Sequence, residues 1–469
     1  MTLHVMTLLQ FLRLSRQVHL AFLAGKLTES PIYVLGNPSA DLDSIISAIV
    51  YSYCASNRLP ATKPRPHVPL LNLPNVSAGP ELYRLRPEFV TALWLSTNFP
   101  ALKPDERFEN ASESAGKLLR EHILTVADFA QSLRESSQAN KLVADVTMVD
   151  WNAMPIRDQQ KGTGSVSGLG QVSFRTVGCI DHHVDEGFVP SPESLPKGQP
   201  VVIQVGPGSC SSLITDELEK RGLWNSCQEA SSEAEIAQVA KLTLAPMLID
   251  TTNLTAEGKV TDVDVRSVDF LRQKVTPVDA AWDMEAFYEV ISDAKKNSLD
   301  LLTLQEVLDR DYKEWAEKTQ SSERSLNIGF CSSVKPIRWV IEKAGGCEEF
   351  LQGVRTFGTS EGKWLDIVVV MTHFTSPNNQ HSRELFVCVT GQNGLSVKGV
   401  NAFVDQSGAQ LKLSKWTPLD GECVELNDEE IRSTLDGDTG LWSRIWVQAN
   451  STASRKQVAP MLREAVAKL

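Results

Sequence analysis

The feature that most limits the fold of this chain is a repeated pattern in its first half. A short apolar, β-branched run ends on or near a carboxylate and then gives way to turn or helix-starting residues. The pattern occurs as IYVLG ahead of Asn37, Asp41 and Asp43, as VTMVD ending at Asp150, as RTVGCID ending at Asp181, and as APMLID ending at Asp250. Short runs separated by helical spacing predict a mostly parallel sheet in an α/β domain, and such sheets bind ligands outside the carboxyl ends of their strands. The four run-ends are therefore expected to converge on one crevice. Helices are expected over 44–57, much of 110–138, 211–221 and 232–242. The Pro-rich LPATKPRPHVPLLNLP and the polar stretch 151–172 are expected to be connections, the latter a flexible surface loop.

Asp41 and Asp43 lie two residues apart ahead of an apolar helix, and their charges repel unless something positive sits between them. Alone, such a pair also reads as an N-terminal cap. Asp150 and Asp250 read singly as turn or cap residues just as well. Joined by Asp181, His182, His183 and Asp185 of DHHVD, they supply the oxygen and imidazole donors that hard divalent cations accept. Two such ions about 3.5–4 Å apart bind a hydroxide between them, and one carboxylate must then bridge both.

A chain of 469 residues is too long for one ordinary core, so two domains are expected. After about Asp283 the texture changes to a charged helical stretch, MEAFYEVISDAKKNSLDLLTLQEVLDRDYKEWAEK. Strand-like SLNIGFCSSV, WLDIVVVMTHF, ELFVCVTG and RIWVQAN follow, and then a last helix, SRKQVAPMLREAVAKL. This organisation predicts an α/β domain over 1–265 and a smaller α+β domain over 283–469. The net charge of -12 disfavours nucleic acid and anionic membranes as partners, so an anionic substrate needs a local basic patch. The eight cysteines form no CxxC pair, which suits reduced thiols and a cytoplasmic setting. Residues 1–28 carry Arg13, Arg16 and Lys26 without an acid, as mitochondrial transit peptides do, but are expected to form an amphipathic helix packed on the domain.

Three basic or glycine-rich features read as anion contacts. In GPGSCSS, Gly208 and Ser209 precede a helix whose N-terminus favours an anion, although a plain turn reads equally well. Arg455 and Lys456 open the last helix, where cations are electrostatically misplaced unless an anion sits there. Lys295 and Lys296 read equally as substrate contacts and as a solvated helix face. His373 and His381 read as surface-loop residues, and Cys210 as a small packing residue.

The succession NPSADLD, VD, DHH and LID, with SRK near the C-terminus, resembles the DHH phosphoesterase superfamily. The fungal exopolyphosphatase and prune-like branch, which joins a DHH domain to a DHHA2 domain, is the best match, over roughly residues 30–469. The resemblance implies that Asp41 serves one metal and Asp43 another, that Asp150 bridges them, and that His182 and Asp250 complete the second site. Asn37 stands where many DHH pyrophosphatases have a metal-site His. His183 would face the substrate phosphate, and Ser454, Arg455, Lys456 and one of Lys295 and Lys296 would grip it, with Gly208 and Ser209 in the family's GSC motif. Two divalent ions, Mg²⁺ or Mn²⁺, are implied, together with hydrolysis of the terminal phosphate of inorganic polyphosphate by a bridging hydroxide. Two alternatives stay open. One is a pyrophosphatase or prune-like phosphodiesterase of short phosphates or nucleotides. The other is a phosphate-binding interaction protein of weak activity, favoured by Trp151 in VDWN where the family reads DHN. A nuclease is disfavoured, because AGGCEEF lacks the histidine of the Gly-Gly-Gly-His motif.

Overall fold

The structure, a computed structural model, describes residues 6–57, 65–103, 113–136, 142–225, 232–299, 302–320, 325–360, 362–375, 380–391, 394–418, 427–437 and 442–469. The chain divides into two compact units, Met1–Asp300 and Leu301–Leu469.

The first unit is built on strands β1 (Ile32–Leu35), β2 (His67–Leu70), β3 (Leu142–Val149), β4 (Ile156–Arg157), β5 (Thr163–Ser165), β6 (Val172–Asp181) and β7 (Val201–Ile203). They lie in the order β2-β1-β3-β6-β5-β4, with β7 also on β6. The β2, β1, β3, β6 and β7 pairings are parallel, and β4 and β5 add antiparallel to β6. From β1 the chain crosses to β2 on one side and returns to β3 on the other. The strand order therefore reverses between β1 and β3, which is where a parallel sheet opens a crevice at its carboxyl edge.

Helices cover both faces: α1 (Leu8–Leu23), α2 (Leu42–Ser56), α3 (Pro80–Leu85), α4 (Pro87–Thr97), α5 (Glu113–His122), α6 (Val126–Glu135), α7 (Cys210–Lys220), α8 (Glu233–Asp250), α9 (Asp262–Val275) and α10 (Met284–Asn297). Val34, Val149 and Ile180 join one apolar cluster with α2, α4, α7 and α8. Tyr33, Leu35, Met148 and Phe174 join the other with Phe129 of α6. Successive strand residues thus alternate between two buried faces, as a parallel sheet requires. Helix α2 is buried along nearly its whole length, so its apolar surround anchors whatever its N-terminus carries. The N-terminal helix α1 starts with a Thr7–Gln10 capping box and buries Leu8, Phe11, Leu12 and Leu23. It packs on the unit as its amphipathic spacing predicts.

Several sequence expectations are corrected. Part of the Pro-rich connection is strand β2, because Pro69 lies on the sheet edge, where a missing N–H costs no ladder bond; its residues 59–64 lie outside the described residues. The polar stretch 151–172 is not a loose loop. It holds β4 and β5 and buries Val166 and Leu169. APMLID is the end of helix α8 rather than a strand: a short apolar run cannot distinguish a buried strand from a buried helix segment, and the Ser232–Glu235 capping box marks the helix start. The helix expected over 110–138 is two, α5 and α6, the second opened by a Thr125–Asp128 capping box; 110–112 and 137–138 lie outside the described residues.

The second unit contains α11 (Leu304–Arg310), β8 (Tyr312–Lys318), β9 (Ser325–Ser333), α12 (Ile337–Ala344), α13 (Cys347–Thr359), β10 (Ile367–Thr372), β11 (Phe374–Thr375), β12 (His381–Ser382), β13 (Glu384–Val389), α14 (Gly394–Leu411), β14 (Leu413–Lys415), α15 (Asp428–Leu435), β15 (Ser443–Gln448) and α16 (Arg455–Ala467). Its main sheet runs β14-β15-β13-β10-β9-β8, parallel only at β9/β10. YKEWAEK, read as helical from its charges, is edge strand β8, whose Lys and Glu side chains suit an unpaired edge. The break between units falls later than the change in texture. Helix α10 buries Phe287 and Ile291 in the first unit's core, which draws the boundary to Asp300.

Candidate metal centre

Asp150 follows the last residue of β3 and lies at the centre of the site. Its backbone sits in the left-handed region, φ 53°, which a short polar side chain tolerates better than a bulky one. Its N–H donates to Ile180 O at 3.0 Å, so the carboxylate is carried by an extension of the β3/β6 ladder. One carboxylate oxygen, Oδ2, accepts from Asn37 Nδ2 and from Ser44 Oγ, both at 2.7 Å. The other, Oδ1, lies 3.1 Å from His182 Nε2 and 3.6 Å from His183 Nδ1. Asp150 is 2% exposed and His182 4%.

The histidines come from the end of β6 and are oriented by different partners. His182 Nδ1 is 2.9 Å from the carbonyl of Pro207. A carbonyl only accepts, so Nδ1 carries the proton and the Nε2 of a neutral ring presents a lone pair toward Asp150. Two electron-rich atoms at this separation require a proton or a cation between them. His183 Nδ1 lies 2.7 Å from Asp181 Oδ1, and Asp181 Oδ2 accepts from Asn152 Nδ2 at 2.5 Å. Asp150, His182 and His183 offer ligand atoms that all lie within 4.8 Å of one another. The mixed carboxylate and imidazole donors, and the lone pair facing a carboxylate, fit a divalent metal ion.

Asp43 stands at the edge of this group, its Oδ2 4.0 Å from His182 Nε2. It accepts from the backbone N–H groups of Cys210 at 2.6 Å and Ser211 at 3.0 Å, and from the hydroxyls of Ser211 and Ser47. Burial, then the neighbouring Asp150, push its carboxyl up to about 6. Asp41 is the N-cap of α2, accepting from Ser44 N at 3.1 Å, and Asp250 is the half-buried last residue of α8.

Asn37 holds a ligand candidate rather than acting as one. Its Oδ1 accepts from Ser39 N at 2.9 Å and from the Ser39 hydroxyl, which identifies the oxygen end of the amide and leaves Nδ2 to hold Asp150. Trp151, beside Asp150, packs its half-buried side chain on the cluster that contains Phe129 and Phe174. The expected anion site at GPGSCSS is filled by the chain itself. Gly208 N donates to Asp264, while Cys210 N and Ser211 N donate to Asp43. Ser209 is the buried N-cap of α7, not a surface contact.

In the second unit Ser454 caps α16 in a box with Gln457. Arg455 donates to the carbonyl and to Oδ1 of Asp311, both at 2.7 Å, which answers its misplaced charge at a helix start. Lys456 is exposed. In the first unit Lys295 is half-buried in the last turn of α10, and exposed Lys296 lies 3.7 Å from Asp293. His373 follows β10 and His381 opens β12, with 376–379 outside the described residues. Cys54, Cys179, Cys210, Cys331, Cys347 and Cys388 are buried free thiols, while Cys227 and Cys423 lie outside the described residues. No described helix is long and apolar enough to cross a membrane.

Residues 290–465 match the DHHA2 domain family. The C-terminal part of the chain therefore carries a DHHA2 domain. The chain is similar over 436 residues, at 28% identity, to a Schizosaccharomyces pombe protein named "Putative exopolyphosphatase", covering 92% of this chain and 90% of the relative. Two solved structures are also similar. One is titled a putative family II inorganic pyrophosphatase of Methanococcus jannaschii (17% identity, 92% of this chain and 99% of that chain, TM-score 0.49). The other is an exopolyphosphatase-related protein of Bacteroides fragilis (13% identity, 88% and 94%, TM-score 0.34).

Sequence reading missed the residues that hold the candidate ligands. Ser44 was hidden inside an apolar helix, and Asn152 stood in VDWN beside the conspicuous Trp151. Arg86 donates to the carbonyls of Ala40 and Ser39 and so braces the turn that carries Asn37 and Asp41. Asp264 is the N3 residue of the Thr261–Asp264 capping box, a helix-start signal present in TDVD that the sequence reading above does not use.

Proposed function

We propose that this DHH–DHHA2 protein is a metal-dependent exopolyphosphatase that removes terminal orthophosphate from inorganic polyphosphate. The observation that carries the reading is Asp150, whose Oδ2 is fastened by Asn37 and Ser44 while Oδ1 faces both His182 and His183. The similarity to the Schizosaccharomyces pombe protein supports the substrate class.

Divalent cations bound here would lower the pKa of an attacking water and neutralise phosphoryl oxygens. The chain's own residues supply the frame for that chemistry. Asp41, Asp43, Asp150, His182 and Asp250 are proposed to hold the cations, with Mg²⁺ or Mn²⁺ as the ions. Asn37 and Ser44 keep the Asp150 carboxylate from rotating, and Pro207 keeps His182 Nε2 turned inward. Asp181 holds His183, which is proposed to meet the substrate phosphate. Arg455 and Lys456 are proposed to take phosphate in the second unit, and Lys295 or Lys296 in the first.

Orthophosphate release from long-chain polyphosphate and from pyrophosphate, measured side by side with Mg²⁺ or Mn²⁺, tests this reading. Release from the long chain is expected to dominate and to stop on chelation. Release from pyrophosphate alone would move the assignment to a pyrophosphatase. Silence on both from folded, metal-loaded protein would leave a phosphate-binding protein.

A further inference from the structure

The turn between β7 and α7 is held by a carboxylate outside the metal cluster. Asp264 is 0% exposed and lies in the first turn of α9. Its Oδ1 accepts from Gly208 N at 3.1 Å and Ser212 Oγ at 2.7 Å; its Oδ2 accepts from Gly208 N at 3.0 Å, Thr261 N at 2.8 Å and Thr261 Oγ1 at 2.7 Å. A helix cap requires only the Thr261 contacts. The bonds to Gly208 and Ser212 tie α9 to a different part of the chain.

That part of the chain orients a candidate ligand. Pro207, one residue before Gly208, supplies the carbonyl that takes His182 Nδ1 at 2.9 Å. Gly208 itself has no room to move. A Cβ added there would meet Thr251 Cγ2 at 2.7 Å and Lys259 O at 2.8 Å, so Gly208 is enclosed by the segment after α8 on one side and held by Asp264 on the other. The Pro207 carbonyl is thereby fixed from both directions.

We propose that Asp264 is a positioning residue for metal binding, acting on His182 through Gly208 and the Pro207 carbonyl. Partners that orient a ligating histidine from outside the coordination sphere typically change metal affinity by about 10–100-fold when lost. The chemistry of Asp264→Asn shows why this position is sensitive. Gly208 N and Thr261 N only donate, and an asparagine has one accepting oxygen, so its NH₂ must confront one of them. If the oxygen stays with Thr261 at the Oδ2 position, it keeps the cap and one bond from Gly208 N at 3.0 Å, but the NH₂ then stands 3.1 Å from the same Gly208 N and opposes its N–H, which loosens the hold on the Pro207 carbonyl.

The inference rests on the metal reading of the Asp150 and His182 group, and the test separates the two. Mn²⁺ binding to the full chain, followed by electron paramagnetic resonance titration, is measured for wild type, Asp264→Asn, Gly208→Ala and Thr261→Ala. Asp264→Asn is expected to raise the Mn²⁺ Kd by about 10–100-fold. Gly208→Ala, which displaces the same turn from the opposite side, is expected to do likewise and keeps the test alive should Asp264→Asn fail to fold. Thr261→Ala removes the cap hydroxyl but leaves the Gly208 bonds, and is expected to leave the Mn²⁺ Kd unchanged even where its melting temperature falls. Wild-type affinity in folded Asp264→Asn or Gly208→Ala overturns the inference alone, as does an equal loss in Thr261→Ala. A wild-type chain that binds no Mn²⁺ overturns the metal reading and this inference with it.

Discussion

Asp150→Asn is expected to cut phosphate release by on the order of 10³-fold, about 4 kcal/mol of transition-state stabilisation, while raising the melting temperature of the metal-free protein. The two effects have one origin. Asp150 presents a buried negative charge next to Asp43, whose carboxyl burial and Asp150 together push up to about 6. A neutral amide removes that repulsion. It also satisfies its neighbours: the oxygen can replace Oδ2 in front of Asn37 and Ser44, and the NH₂ can donate to the inward lone pair of His182 Nε2. Asparagine also tolerates the left-handed backbone at this position better than alanine would. A gain of about 1–2 kcal/mol is expected, and each kcal/mol corresponds to about 2–4 °C in a unit of this size. Calorimetry of the chelated proteins, paired with a phosphate-release assay, checks both halves. An unchanged or lower apo melting temperature would show that the cluster is not strained by charge, and retained activity would remove Asp150 from the chemistry.

The second large effect concerns acid stability and lies far from the metal cluster. His19 is fully buried in α1, its Nδ1 2.9 Å from the Tyr33 hydroxyl and its ring packed edge-on against Phe129. Burial, and then the nearby Arg16, lower its pKa from 6.5 to about 3. The unfolded chain therefore binds a proton between pH 6.5 and 3 that the folded chain refuses, so stability rises with pH across that window. It is complete above 6.5, falls by about 1.4 kcal/mol for each pH unit below it, and has lost about 2 kcal/mol by pH 5. Denaturant unfolding at pH 7 and pH 5 should show this loss in wild type and a flatter profile in His19→Gln, which keeps a polar partner for Tyr33 but does not titrate. Parallel profiles for the two proteins would assign the acid sensitivity to other groups.

The contrast between Asp150 and Asp250 shows how much was legible in advance. Both end short apolar runs, and both read as carboxylates at strand ends. For Asp150 the run is strand β3, and the residue arrives at the switch between β1 and β3. For Asp250 the run is the last turn of an 18-residue helix whose start is set by Ser232 and Glu235. Apolar run length does not separate these cases, because a fully buried strand and a buried helix face present the same local composition. The α2 start, the DHHVD turn after β6 and the α16 start were legible, since each combines a local period with a capping or turn residue. Strand β2 was not, because Pro suppresses a strand reading unless the strand is known to lie on an edge.

By itself the sequence determined which side chains stand at the carboxyl ends of β1, β3 and β6, because strand alternation and the turns after it are local properties. That was enough to bring Asp150, His182 and His183 to one edge of a parallel sheet. Only the tertiary structure decided what each of them does there. Asn37 became the holder of Asp150 across 113 residues, and the donors of the Gly208–Ser211 turn went to Asp264, 56 residues away, and to Asp43, 167 residues before Cys210. Hydrogen bonds of 2.6–3.1 Å depend on which groups the strand order and helix packing bring together, and residue spacing along a chain carries no record of that choice.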